Sequence, residues 1–148
     1  MSTNAQAVNA RMLAQQIAGL QRQINGLQQL VEEFSGRLAI VRAAREAVSK
    51  LKEKGEAEVL VTADMEGNAL FKAKVSGKPI IHLGLNVYAE VPFEKAEEIL
   101  SEKERTIVTY IGRLQEELRE KLKEHRKLQE LLYMLAQQQG TTGETRAG

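Results

Sequence analysis

The chain has 148 residues, which is enough for one domain or for one long element that carries a small domain. Its 21 Lys and Arg residues nearly balance 20 Asp and Glu residues, which argues against a dedicated nucleic-acid binder. The absence of Cys excludes disulfides, thiolate metal sites and Cys nucleophiles. With no Trp and 4% aromatic residues, an enzyme with a large compact core is disfavoured, whereas two Pro residues permit long helices.

Composition divides the chain into three structured zones and a tail. Residues 1–56 are rich in Ala, Gln, Leu and Arg and predict a helix. Residues 57–92 carry short runs of Val, Ile, Leu and Tyr broken by Gly, Asn and Pro, which predicts strands and turns. Residues 93–138 return to a helical composition, and residues 139–148, with three Gly, predict a flexible tail.

Apolar residues recur in the first helix at spacings that alternate between four and three. Ten of eleven successive positions are apolar, and Arg45 is the exception. A period of 3.5 sustained over this length predicts a coiled coil with a left-handed supercoil. The positions are Leu13, Ile17, Leu20, Ile24, Leu27, Val31, Phe34, Leu38, Val41, Arg45 and Val48.

The last helix repeats this pattern less cleanly. Eight of its eleven positions are apolar, and Glu104, Lys121 and His125 interrupt the seam, as polar residues that fix a register do. The positions are Leu100, Glu104, Ile107, Ile111, Leu114, Leu118, Lys121, His125, Leu128, Leu132 and Leu135.

Two heptad helices that flank a short β segment predict an α+β fold. The simplest arrangement is a long antiparallel two-helix coiled coil with the strands at the turn. In this fold-back Arg45 and Glu104 both lie near the β segment. They either form an ion pair or extend outward separately into water.

The β segment predicts four strands, at 58–63, 69–75, 79–84 and 86–91, which form two successive hairpins. Three of them carry apolar residues on both faces, and open sheet edges invite pairing with another chain. We therefore expect an assembly surface and a protein that is not a monomer. The expected surface, called the hairpin set, is Val59, Leu60, Val61, Leu70, Phe71, Val75, Ile80, Ile81, Leu83, Val87 and Tyr88.

The fold-back also brings together apolar residues from the two distal helix ends. Those outside the seam should be partly exposed, which marks either an interaction site or a packing contact within a closed end or a larger bundle. Residues 1–31 contain no acidic residue, so the surface there is mostly Gln, Asn and Ala. The residues, called the helix-end set, are Val8, Met12, Leu13, Leu131, Leu132, Tyr133, Met134 and Leu135.

Catalytic and metal-binding patterns are not found in the sequence. No P-loop, GxSxG, HExxH or GxGxxG motif occurs, and His82 and His125 lie far apart, in a strand and on a helix seam. Residues 64–68 lack the spacing of a calcium loop and predict a hairpin turn. We therefore expect neither an enzyme nor a cofactor or metal.

This organisation resembles a subunit of the prefoldin family, of the archaeal α class, over residues 4–138. The hairpins carry the resemblance: Val59–Val61 and Leu70–Val75 are similar to the family's first hairpin, and Ile80–Glu90 is similar to its second. Phe93–Ala96 is similar to the entry into its last helix. Thr62–Asp64 stands where the family often has Pro and Gly.

The resemblance implies a cytoplasmic, ATP-independent chaperone. It implies that the hairpins join subunits into a β-barrel platform, with two α and four β subunits, and that the helix-end set holds unfolded proteins for delivery to a group II chaperonin. It implies no membrane or nucleic-acid partner. The residues alone leave a second hypothesis open, which is a structural spacer or filament former whose helix ends bind one fixed partner.

Overall fold

The computed structural model describes residues 2–144, with the side-chain surroundings of residues 4–138. It confirms the α+β class and the two hairpins between two long helices. The elements are α1 (Ser2–Lys54), β1 (Glu56–Thr62), β2 (Leu70–Ser76), β3 (Ile80–Gly84), β4 (Val87–Glu90) and α2 (Phe93–Glu144).

Local chemistry sets the inner ends of both helices. Helix α1 stops at Gly55, which has a φ of +72° and donates its N–H to the carbonyl of Leu51 at 2.8 Å, as a helix-terminating glycine does. Helix α2 begins after Pro92, whose carbonyl accepts the N–H of Ala96 at 3.0 Å.

The far end of α2 differs from its predicted boundary. The helix continues past residue 138 to Glu144. Residues 145–148 of the predicted tail lie outside the described residues. None of the described helices has an apolar stretch long enough to cross a membrane.

The four strands form two separate antiparallel sheets of two strands each. In the first hairpin, Ala57 pairs with Val75 and Val59 with Ala73. In the second, Ile81 pairs with Ala89, and a bulge between His82 and Gly84 precedes the turn.

The side chain of Asp64 stabilises the turn of the first hairpin. Asp64 Oδ1 accepts the backbone N–H groups of Glu66 at 2.9 Å and Asn68 at 3.1 Å. These bonds, that of Asn68 foremost, lower the pKa of the Asp64 carboxyl below its ordinary value. The segment is thus a hairpin turn, as predicted.

The chain divides into two compact units. The first contains the chain up to Ser35 and from Tyr110 onwards, and the second is Gly36–Thr109. In the second unit, α1 and α2 run antiparallel, because Lys52 lies beside Glu94 and Glu97 while Arg45 lies beside Glu104.

Burial confirms both predicted seams. The ten apolar positions of the α1 seam are buried or half-buried, and Arg45 is exposed. All eleven positions of the α2 seam, including Glu104, Lys121 and His125, are buried or half-buried. In the first unit Ile24 is 2% exposed, and the rings of Phe34 and Tyr110 meet edge to face at 4.6 Å.

Candidate functional site

The first candidate surface is the helix-end set, which lies entirely in the first unit. Leu13, Leu132 and Leu135 occupy seam positions and are half-buried. The other five are half or more exposed, as the heptad predicted for positions outside the seam, and they are Val8, Met12, Leu131, Tyr133 and Met134.

The two helices hold the exposed members of the helix-end set in defined positions. Each of them lies within α1 or α2, and Tyr133 accepts at its hydroxyl a hydrogen bond from Gln137 Nε2 at 2.9 Å, one helical turn away. Apolar side chains fixed on a helix surface in water offer area that another apolar chain can cover.

The second candidate surface is the hairpin set. Eight of its eleven members are exposed by nearly half or more, while Val59 and Val75 are half-buried. The exposed members are Leu60, Val61, Leu70, Phe71, Ile80, Leu83, Val87 and Tyr88. Within the described chain, no third strand pairs with the outer backbone edges of either two-stranded sheet.

The structure corrects the hairpin set at Ile81. This side chain is 6% exposed and packs with Ala96 and Leu100 in a core that also contacts Val48 and Val91. It is therefore part of the chain's own core and does not lie on the exposed surface. Lys103 makes a second contact between α2 and this hairpin, because its Nζ donates a hydrogen bond to the carbonyl of His82 at 2.7 Å.

Glu104, predicted as a polar seam position, forms the ion pair with Arg45 that the sequence left open. Arg45 Nη1 donates to Oε2, and Arg42 Nε donates to Oε1 at 2.9 Å. The hydrogen bond from Arg42, with the positive charge of both arginines, holds the pKa of the Glu104 carboxyl below its ordinary value of 4.5.

We expect Glu104→Gln to lower the free energy of unfolding at pH 7. A carboxyl whose pKa is lower in the folded state stabilises that state above the unfolded pKa, and the contribution disappears as the pH falls through the folded pKa. The difference in free energy of unfolding between wild type and Glu104→Gln should therefore be largest at pH 7, decrease below about pH 4.5 and disappear at lower pH.

Urea unfolding at a series of pH values measures this gap. Glu102→Gln is the matched control, because it removes the same charge from an exposed position on the same helix. A gap for Glu104→Gln that stays constant down to pH 3 would contradict the assignment.

Both histidines lie apart from any metal-binding arrangement. The His82 ring packs against Tyr88 at a centroid distance of 4.9 Å, and His125 lies half-buried on the α2 seam. Among the residues that the structure describes, no three His, Asp or Glu side chains converge as metal ligands would.

Comparison with known proteins identifies the family. The prefoldin subunit family matches residues 13–138. The chain is a member of the prefoldin family. It is 31% identical to the prefoldin subunit alpha of Metallosphaera sedula, over 94% of this chain and 97% of that protein. It is 37% identical to the prefoldin subunit alpha of Aeropyrum pernix, over 83% of this chain and 82% of that protein.

A solved structure shows the same prefoldin fold. A chain of a filamentous PFD from Methanocaldococcus jannaschii, determined by cryo-EM, superposes with a TM-score of 0.63 at 23% identity. The match covers 78% of this chain and 96% of that chain. The predicted resemblance to an archaeal α subunit of prefoldin, a chaperone family, is confirmed by these relatives.

Sequence reasoning did not find several features of this prefoldin chain. Arg42 was missed as a partner of Glu104, although its position three residues before Arg45 was a usable signal. Ile40, Val108 and Leu122 are exposed apolar residues outside both predicted sets. Leu85, at the turn of the second hairpin, is exposed and also belongs to neither predicted set.

Proposed function

We propose that this chain is a holdase subunit of a prefoldin complex, which binds unfolded proteins without ATP. The observation that carries the proposal is the exposure of five large apolar side chains of the helix-end set in a member of a chaperone family. Unfolded chains expose apolar side chains, and burying both partners' apolar surfaces releases water and favours binding.

The low charge around the α1 part of the helix-end set supports binding of a broad range of unfolded clients. The α1 part of the helix-end set lies in a stretch of 31 residues whose only charged side chains are Arg11 and Arg22. A surface of Gln, Asn and Ala neither strongly repels nor attracts a charged client. Methionine, which is flexible and polarizable, adapts to different apolar partners.

Assembly through the hairpin set completes the proposal. The exposed strands and open edges support joining with β-type prefoldin subunits, as two α and four β chains, into a platform. Several subunits then present several weak sites to one client, and effective concentration makes the combined binding strong. We propose that the complex works in the cytoplasm and passes clients to a group II chaperonin.

The triple variant Leu131→Ser, Tyr133→Ser, Met134→Ser tests the holdase. We expect the assembled complex to lose most of its suppression of aggregation, about tenfold in the concentration needed, because three exposed contacts disappear while the seam is untouched. The measurement is light scattering of a denatured protein diluted without ATP, with sizing and circular dichroism alongside.

The matched control is Ile40→Ser, Val108→Ser, Leu122→Ser. It also replaces three exposed apolar side chains on the two helices, outside the helix-end set. Equal loss in both triples would mean that general surface hydrophobicity, and not the helix-end set, binds clients. Clean assembly with no suppression by the wild type would favour the spacer or filament former with one fixed partner.

A separate assay addresses delivery. A client bound to the complex should regain activity faster when a group II chaperonin and ATP are added than when the same chaperonin receives free denatured client. No difference between the two would contradict delivery and leave the holdase result standing.

A further inference from the structure

Methionine supplies all the side-chain sulfur of this sequence. There are four Met residues and no Cys, so thioethers rather than thiols are the sulfur groups that an oxidant such as hydrogen peroxide meets. Three of the four lie where the structure describes side chains, and all three are exposed: Met12, Met65 and Met134. Burial therefore shields none of these three from a small oxidant in water.

Two of the exposed methionines belong to the helix-end set. Met12 on α1 is 54% exposed, and Met134 on α2 is 61% exposed. Each directly precedes a half-buried seam residue, which is Leu13 on α1 and Leu135 on α2. The thioethers thus lie beside the seam and not within it, so a change in their polarity alters the surface and spares the packing between the helices.

The two methionines also lie at nearly the same level of the first unit. Phe34 and Tyr110 are in contact at one end of this unit, and both helices run from that contact with their seams buried. Met12 is 22 residues before Phe34, and the residue 22 after Tyr110 is Leu132. Met134 is two residues further on, about 3 Å along the helix axis. Both methionines hold the same heptad position, which places them on one flank of the helix pair, where one client segment can cover both.

Oxidation reverses what these side chains favour. Hydrogen peroxide transfers one oxygen atom to a lone pair of the thioether sulfur: a sulfur–oxygen bond forms, the O–O bond breaks, and the second oxygen leaves as water. Sulfur loses two electrons and peroxide gains them. The sulfoxide is polar, and an apolar client that covers it removes water from its oxygen without supplying a hydrogen bond. A contact that the thioether favours is therefore disfavoured by the sulfoxide.

We propose that Met12 and Met134 are oxidation sites at which peroxide reversibly lowers the affinity of this chain for unfolded proteins. The inference rests on the proposed holdase function and adds a way in which that function is regulated. Methionine sulfoxide reductases reverse the change, because the sulfoxide oxygen leaves as water while two thiols are oxidised to a disulfide.

Peroxide treatment of this chain alone tests the proposal. The full chain is oxidised, freed of peroxide and assembled with an untreated β-type subunit before a denatured client is diluted into the mixture. We expect about tenfold more complex to be needed for the same suppression of aggregation, because two contacts become unfavourable. Thermal unfolding should be unchanged. Mass spectrometry locates the sulfoxides, and treatment with both classes of methionine sulfoxide reductase and a dithiol should restore the suppression.

The double variant Met12→Leu, Met134→Leu is the resistant form, since leucine keeps the apolar area and carries no sulfur. It should match the wild type before peroxide treatment and keep its suppression afterwards. Met65→Leu is the matched control, because Met65 is fully exposed in the turn of the first hairpin, outside the helix-end set. This variant should lose suppression after peroxide as the wild type does.

Suppression that persists when both Met12 and Met134 carry sulfoxide would overturn the proposal and leave the holdase function standing. An equal loss in the resistant variant would also overturn it, since the sensitive group would then lie elsewhere. So would oxidation of Met65 under conditions that leave the other two intact. An untreated wild-type complex without any suppression would reject the holdase function itself, and the effect of oxidation on client binding with it.

Discussion

Ile81→Ala is expected to destabilise the chain by about 2–5 kcal/mol. The side chain is 6% exposed in the core with Ala96 and Leu100, so truncation removes buried apolar area and leaves a cavity. Because Ile81 fastens the second hairpin to the helices, the variant should also expose that hairpin to proteolysis. Urea unfolding at fixed protein concentration measures the loss.

Ile80→Ala is the control for this prediction. Ile80 is the preceding residue of the same strand but is 69% exposed, so its truncation should change the free energy of unfolding of the monomer by less than about 0.5 kcal/mol. As a member of the hairpin set, Ile80 should instead affect assembly. Equal destabilisation by the two variants would contradict the assignment of Ile81 to the core.

Ile24→Ala should cause a loss of similar size in the first unit, about 2–5 kcal/mol. Ile24 is 2% exposed and is the most completely buried large side chain among the described residues. A two-helix seam has no second layer to close over the cavity, so little of the loss can be recovered by relaxation. Urea unfolding followed by circular dichroism measures this loss, because the signal reports the helix content.

Ile40→Ala is the matched control on the same helix, since Ile40 is 70% exposed and lies outside the seam. It should be nearly neutral, and alanine's higher helix propensity favours a slight gain. A large loss at Ile40, or a negligible one at Ile24, would mean that the heptad seam does not carry the stability of α1.

The sequence predicted the helices and their seams well because a heptad is a local pattern. Ten apolar positions counted along α1 all proved at least half-buried, and off-seam residues such as Tyr133 proved exposed. The hairpins were predictable for the same reason, from Gly and Asn between short apolar runs.

Features that depend on contacts between distant segments were not predictable. A strand with apolar residues on both faces does not show which face a helix will cover, so Ile81 could not be separated from Ile80. The position of Arg42, three residues before Arg45, was a signal for a second partner of Glu104, but the bond itself depends on how the two helices align. Leu85 has a φ of +49° in a turn that follows a bulge at Gly84, and the alternation of apolar and polar residues reveals neither feature.

The position of the hairpins between the helices has a consequence for the order of folding. Lys103 and His82, which join the second hairpin to α2, are 21 residues apart, whereas Arg45 and Glu104 are 59 apart. Closing the longer loop costs about 0.9 kcal/mol more, so the contact nearest the hairpins should form first and helix pairing should follow outward. Helix α1 is synthesised before α2, and its apolar seam must therefore remain uncovered on the ribosome until the second helix has emerged.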